Sequence, residues 1–564
     1  MSPSVMSPSR LARRSGGALR ALLLALLSIA SAAAPVSASG AGAGDPSAPP
    51  GAPGGPVVMT GSGLVRGTAH GAYHTFEGIP YAAPPTGPLR WRAPAPPRRW
   101  QGVRDADAPG PRCMQEEYNT EYTTMAVVGS EDCLYLNVTA PSGSQVPGRN
   151  RPVVRARPVM VWMHGGAFVS GAGSEYAAER LAVQGDAVVV TVNYRLGVFG
   201  FFGHPALGDA PDTGLADQQA ALRWVRANAR HFGGDPHNVT LFGESAGGLS
   251  TCAHLASPTS AGLFHKAVLQ SGSCMTTFPV GVSAPGTPAY TPFAPQAATR
   301  QVGAAVARRL GCAEPAKALP CLRALPARKL ATRELMETFS RASYGNALLP
   351  VRPDVALESG RFHRMPVMQG TNHDELRYFV GPSLAAHPIR DARDYRARLT
   401  ESYGRAAGAI EARYPLSAYR TPALAWAAVL TDSSYACTTL RAHRAFAAHV
   451  PTYGYEFNDR TAPVPPGVPP VAGFPYGAAH GFELPYLFST RLPFTADQRA
   501  LSDRMIGYWT RFAHTGDPNG PGAPAWRRFD RTPLVQSLAP GPGGIRPADL
   551  GAGHHCGFWD RQRG

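Results

Sequence analysis

The sequence predicts an α/β fold: a mostly parallel central sheet, helices on both faces, and helical insertions over its carboxyl edge. Three observations carry this. Short apolar runs at 133–139, 158–163, 187–193, 238–243, 266–271, 366–371 and 452–457 mostly lack strand alternation, as strands covered on both faces do. Helical patterns lie between several of these runs, which calls for parallel crossovers. The 238–243 run passes straight into Gly243-Glu244-Ser245-Ala246-Gly247 and then a helix start.

Taken in order, residues 1–38 have the plan of an export signal. Arg10, Arg13, Arg14 and Arg20 supply a basic start, and 21–34 is apolar but too short for an ordinary membrane span. Val36-Ser37-Ala38 suits cleavage after Ala38, with Ala32 as an alternative site and a membrane anchor as the competing reading. Residues 39–56 form a Gly/Ala/Pro-rich linker. From 57 to 560 the chain is expected to form one large domain, because the strands of one sheet are spread along its whole length. Gly63-Leu-Val-Arg-Gly and Tyr73-His-Thr-Phe-Glu-Gly-Ile-Pro-Tyr are expected to pair as a starting hairpin. A Pro-rich extended stretch from Pro84 to Trp91 follows. Helical pattern covers 215–230 and ends at Phe232-Gly233-Gly234-Asp235-Pro236, a Gly and Pro stop. The stretch 275–360 is too long for a simple connection and carries helical pattern at 296–310 and 318–340. A second helical insertion covers about 378–450. Both are expected to wall the site at the carboxyl edge.

The formal charge is +16, and removing the four Arg of the leader leaves +12. Nucleic acid is not the implied partner. Only Lys266, Lys317 and Lys329 are lysines, so the excess is Arg, and no dense basic run interleaves with aromatics. Outside the leader no run is long and apolar enough to cross a membrane, so no stable anchor is expected. The expected location is secreted, after cleavage near Ala38.

Gly-x-Ser-x-Gly alone is weak. With 62 glycines in 564 residues, chance supplies roughly one match in every couple of such chains. Its setting makes it specific: strand, tight turn and helix place a serine hydroxyl, strained and exposed, at the carboxyl end of a sheet. With the helix before it and the segments Asn193-Tyr-Arg-Leu-Gly-Val-Phe-Gly-Phe and Tyr508-Trp-Thr-Arg-Phe-Ala-His-Thr-Gly-Asp-Pro-Asn, the chain resembles the type-B carboxylesterases. That α/β-hydrolase family includes cholinesterases, fungal lipases and p-nitrobenzyl esterases. The resemblance spans about 57–560. It implies the α/β-hydrolase fold and hydrolysis of carboxylic esters, with a small ester and water as partners and no metal or organic cofactor.

The resemblance also assigns residues. Ser245 is the expected nucleophile. Gly370-Thr-Asn-His-Asp-Glu-Leu resembles the segment in which the family carries its triad acid, pointing to Glu375; Leu376 replaces the usual Gly, and adjacent Asp374 is the rival. Gly477-Ala-Ala-His-Gly-Phe-Glu-Leu matches the family's His segment and makes His480 the base, ahead of His204, His254 and His514. The order nucleophile, acid, base is that of the fold. The turn His164-Gly165-Gly166-Ala167-Phe168 offers the N–H groups of Gly165 and Gly166 to an oxyanion, completed by the N–H of Ala246; His164 is expected to support this loop. Cholinesterase-type disulfides imply the pairs Cys113–Cys133, Cys312–Cys321 and Cys437–Cys556. Whether Cys252 and Cys274 pair is left open. A metal reading of His554-His555-Cys556 ranks below the disulfide. A non-catalytic binding member of the same fold is the alternative function, and a peptidase or amidase a further one. Acyl and alcohol preference and oligomeric state are not legible.

Overall fold

The computed structural model describes residues 55–118, 125–143, 156–210, 212–282, 284–530 and 532–562. The expected signal segment and all but the end of the linker lie outside the described residues. Eleven strands among the described residues form the main sheet. They are β1 (Thr68–Ala69), β2 (Tyr73–Pro80), β3 (Tyr135–Pro141), β4 (Arg157–Met163), β5 (Val188–Val192), β6 (Gly234–Glu244), β7 (Lys266–Gln270), β8 (Val367–Asn372), β9 (Thr452–Phe457), β10 (Leu534–Leu538) and β11 (Arg546–Asp549). Their order across the sheet is β11-β10-β9-β8-β7-β6-β4-β5-β3-β2-β1. From β5 through β10 every neighbouring pair is parallel; β11 and β3 to β1 add antiparallel edges.

The unbroken apolar runs follow from two cores, one on each side. Along β4, Val159, Val161 and Met163 enter one core, while Met160 and Trp162 enter the other. Successive side chains of a strand point to opposite faces, so a sheet buried on both sides needs apolar residues at both parities. Trp162 packs edge-on against Phe242 of β6 and Phe488. Truncating such a buried Trp to Ala costs about 3–5 kcal/mol.

One expectation is corrected. Gly63–Arg66 does not pair with the 73–81 run. It forms a hairpin with Val57–Thr60 and pairs in parallel with Val103–Asp105, making a separate three-stranded sheet. The Thr60-Gly61-Ser62-Gly63 turn, in which Gly63 takes φ 148, is the tighter reversal and wins the pairing.

Helix Thr213–Asn228 precedes β6, and helix Ala246–Ala256 leaves it. Helix Ala496–Thr515 starts with a capping box, Thr495 with Gln498. It packs below the sheet against β4 and β6. Between β7 and β8 lies the first insertion, with helix Gln296–Arg309, three short helices from 318 to 338, and an unforeseen parallel ribbon of Phe293–Pro295 with Ala342–Tyr344. The second runs through five α-helices, from Arg377–Ser383 to Cys437–Ala447 inclusive, interrupted by a π-helical turn at Asp432–Ala436. Disulfides close Cys113–Cys133, Cys252–Cys274, Cys312–Cys321 and Cys437–Cys556. The last spans 119 residues and ties the terminal helix Cys556–Gln562 to the second insertion. On the chain-entropy account such a loop constrains the unfolded state by about 4–5 kcal/mol. No helix among the described residues is long and apolar enough to cross a membrane.

Candidate active site

Ser245 sits between the end of β6 and the start of helix Ala246–Ala256, at φ 55 and ψ −119. A non-glycine residue at positive φ is strained and persists because its surroundings hold it. The Ser245 N–H donates to the Gln270 carbonyl of β7 at 2.9 Å. The two motif glycines are steric necessities. A Cβ on Gly247 would lie 1.8 Å from the Met163 carbonyl oxygen, and one on Gly243 would lie 2.6 Å from that oxygen and from the Gly247 carbonyl.

The loop after β8 brings Glu375 beneath His480. Glu375 Oε1 accepts from Thr371 Oγ1 at 2.7 Å and from the Asn372 N–H at 2.8 Å, leaving Oε2 for His480 Nδ1 at 2.6 Å. Asp374 goes elsewhere. It pairs with Arg377 at 2.8 Å and Arg460 at 3.0 Å and accepts the Ala478 N–H at 3.1 Å. The imidazole is boxed by Phe379, Tyr435 and Tyr378, with ring centroids 5.1, 5.3 and 6.2 Å away. Behind it runs a buried chain: Trp509 donates to Gln270, Gln270 to Glu483, and Asn372 to both Glu483 and the Ala479 carbonyl. The late helix thus reaches the site through Gln270, and Asn372 and Glu483 fix the segment that carries His480.

A residue inside the elbow motif went unassigned by sequence. Glu244 is buried, and its Oε1 lies 3.1 Å from His480 Nε2, without hydrogen-bond alignment. Burial pushes the Glu244 carboxyl up to about 8, against the pull of His480. Burial pulls the imidazole down, but Glu244, Glu375 and then Glu483 outweigh it and carry His480 up to about 9. A second missed carboxylate, Glu175, lines a small cavity together with Glu244 and His480, and burial raises it to about 8 despite Arg112. Both positions were visible in the sequence, but only the folded chain places them at the site.

The glycine-rich loop turns back under Ser245 through consecutive left-handed residues: Gly166 at φ 91, Ala167 at φ 53 and Phe168 at φ 63. A Cβ on Gly165 would meet Glu244 Oε2 at 2.7 Å and Ser245 Cβ at 3.2 Å, so only glycine allows this approach. Ala246 opens a helix, where the first-turn N–H groups lack intrahelical partners. His164 lies under the loop, stacked on Tyr194 at 4.4 Å, its Nδ1 2.9 Å from the Gly165 carbonyl; burial lowers it to about 4. His204, His254 and His514 make local contacts elsewhere, His254 with Gln218 and His514 with the Gly185 carbonyl.

Two cavities meet at Ser245. One of about 30 Å³ includes Gly165, Gly166, Ala167, Glu244 and His480. The other, about 60 Å³, is walled by Leu249, Phe278, Val282, Tyr290, Phe379 and Tyr435. Phe278, Val282 and Tyr290 come from the first insertion and Phe379 and Tyr435 from the second, so both insertions wall the site.

The model of the Carboxylesterase family matches residues 54–542. A para-nitrobenzyl esterase of Bacillus subtilis (strain 168) is 35% identical over 498 residues, covering 85% of this chain and 94% of that protein. The pyrethroid hydrolase Ces2e of Rattus norvegicus is 34% identical over 511 residues, 84% of each chain. Among solved structures, a PNB esterase superposes with a TM-score of 0.70 at 31% identity, covering 90% of this chain and 99% of the other. Sequence, fold and elbow agree: the chain belongs to the carboxylesterase family and is a type-B carboxylic ester hydrolase with the α/β-hydrolase fold.

Proposed function

We propose that the chain hydrolyses uncharged carboxylic esters through a Ser245–His480–Glu375 triad and an acyl-enzyme. His480 Nε2 takes the proton of Ser245 as its hydroxyl oxygen attacks the acyl carbon. Glu375, bonded to Nδ1, fixes the tautomer and stabilises the imidazolium that forms. N–H groups of Gly165, Gly166 and Ala246 receive the oxyanion, with that of Ala167 beside them. His480 then protonates the leaving alkoxide, and water attacks the acyl-enzyme by the same route in reverse order. The observation that carries this reading is the meeting of three independently placed features. A serine held at φ 55 shares one cavity with an imidazole whose far nitrogen is 2.6 Å from a buried carboxylate.

The apolar wall of Leu249, Phe278, Val282 and Tyr290 suits a hydrocarbon chain, since removing such surface from water is worth about 25 cal/mol per Å². Export supports itself on the leader of residues 1–38 and on four disulfides, which persist in oxidising compartments. The catalytic unit then spans 57–560. Acid-quenching the enzyme during turnover of p-nitrophenyl esters of increasing acyl length tests the reading. The acyl mass is expected on the peptide containing Ser245. Turnover with no acyl adduct, or an adduct on another residue, would overturn it.

A further inference from the structure

Behind the catalytic loop lies a second constellation that ester hydrolysis does not use. His373 stands in the turn after β8, Glu456 in β9, and His554 just before the terminal helix. Glu456 and His554 are buried, and the His373 side chain is one quarter exposed. The ligand-capable atoms of the three lie within 4.8 Å of one another. His373 Nδ1 is 2.7 Å and His554 Nε2 2.6 Å from the same oxygen, Glu456 Oε1. On its other side, His554 Nδ1 is 2.6 Å from Asp432 Oδ1. Asp432 belongs to the π-helical turn and is itself fixed: Tyr414 donates to it at 2.7 Å, and Trp559 donates to Tyr414 at 2.6 Å.

We propose that His373, Glu456 and His554 form a binding site for a divalent transition-metal ion, zinc foremost. Two imidazoles and one carboxylate are a donor set that favours zinc over calcium or magnesium. Asp432 does for His554 what an outer carboxylate does for a metal-ligating histidine: it takes the N–H on one nitrogen and leaves the other lone pair for the ion. Charge agrees. Asp432 and Glu456 together carry two negative charges, which one divalent ion balances with both imidazoles neutral. Zinc–ligand bonds of about 2.0–2.2 Å set tetrahedral ligand atoms roughly 3.3 Å apart. The present contacts must therefore open by about 0.6 Å, through rotation of the partly exposed His373 ring and of the Glu456 carboxylate that both imidazoles share. A cavity of about 450 Å³ lined by His373, Asp432, His554, Arg377 and Arg460 leaves room for water as a fourth ligand. The ion would pin the turn that carries Glu375, two residues beyond His373, to β9 and the C-terminal segment.

The test uses the full chain, stripped with a chelator and then titrated with Co²⁺ and Zn²⁺. One Co²⁺ per chain is expected, with visible absorption of a low-symmetry N/O site, displaced by Zn²⁺, and Zn²⁺ is expected to raise Tm. His373→Asn, at a partly exposed turn position, should abolish the absorption and the Tm shift while still folding. Asp432→Asn should weaken binding by roughly 10–100-fold. His237→Asn, at an exposed site remote in sequence from all three ligands, should change nothing. Absence of both the absorption and the Tm shift in the unaltered chain would overturn the proposal and leave a metal-free chain of imidazole–carboxylate hydrogen bonds. Binding that survives His373→Asn would overturn it equally, as capture by unrelated surface groups.

Discussion

Glu244→Gln is expected to move the acid limb of the pH–rate profile to lower pH. Esterolysis by the proposed route needs His480 neutral, and the Glu244 carboxylate lies 3.1 Å from its reactive nitrogen. That carboxylate favours the imidazolium and helps carry His480 up to about 9. An opposite charge this close shifts a titration by roughly 1–3 units, each unit being worth about 1.4 kcal/mol. Glutamine preserves the shape and removes the charge, so the imidazole loses its proton at lower pH and kcat/KM reaches its plateau earlier by at least about one unit. Glu375 still holds Nδ1, so the base should remain oriented. The assay is pH-stat hydrolysis of ethyl butyrate from the acid through the alkaline range, with circular dichroism to confirm the fold. Only the midpoint is read, because glutamine can alter the plateau by hydrogen bonding. A limb that stays in place or moves to higher pH would refute the reasoning.

Glu375→Gln should lower kcat by roughly three to four orders of magnitude, as loss of a triad acid does. Asp374→Asn should cost far less, because Asp374 serves Arg377 and Arg460; steady-state kinetics on both folded variants decides, and a larger loss from Asp374→Asn would reverse the assignment. Butyrylcholine should not be preferred over butyl butyrate by more than about tenfold in kcat/KM, worth about 1.4 kcal/mol. The loop between Cys113 and Cys133 contains no Trp for a cation–π contact, and burial keeps Glu175 and Glu244 near 8, largely uncharged below that pH. A stronger choline preference in parallel assays at moderate salt would expose a cation site.

Much of the fold was legible because a sheet covered on both faces writes itself as short apolar runs. The runs at 158–163, 238–243 and 366–371 became β4, β6 and β8 within a few residues. The elbow was legible because Gly243 and Gly247 are demanded by contacts between neighbouring elements. What escaped depends on long-range placement. β10 and β11 are short strands at one end of the sheet whose Gln536, Ser537 and Pro547 break any apolar signal. The 57–66 hairpin was missed because local turn geometry outweighed the pairing expected from the next apolar run. Cys252 and Cys274 were an open pair, since only the packing of the 246–256 helix over the end of β7 brings them together. His373, Asp432, Glu456 and His554 lie on four distant segments, and no spacing rule could join them.

The central claim is that Ser245 is the nucleophile. Its most direct measurement is the turnover of p-nitrophenyl butyrate by Ser245→Ala, beside the unaltered enzyme, with matched circular dichroism and Tm. Loss of kcat/KM by roughly three orders of magnitude or more in a folded protein is the predicted result. Near-normal hydrolysis by that variant would contradict the account.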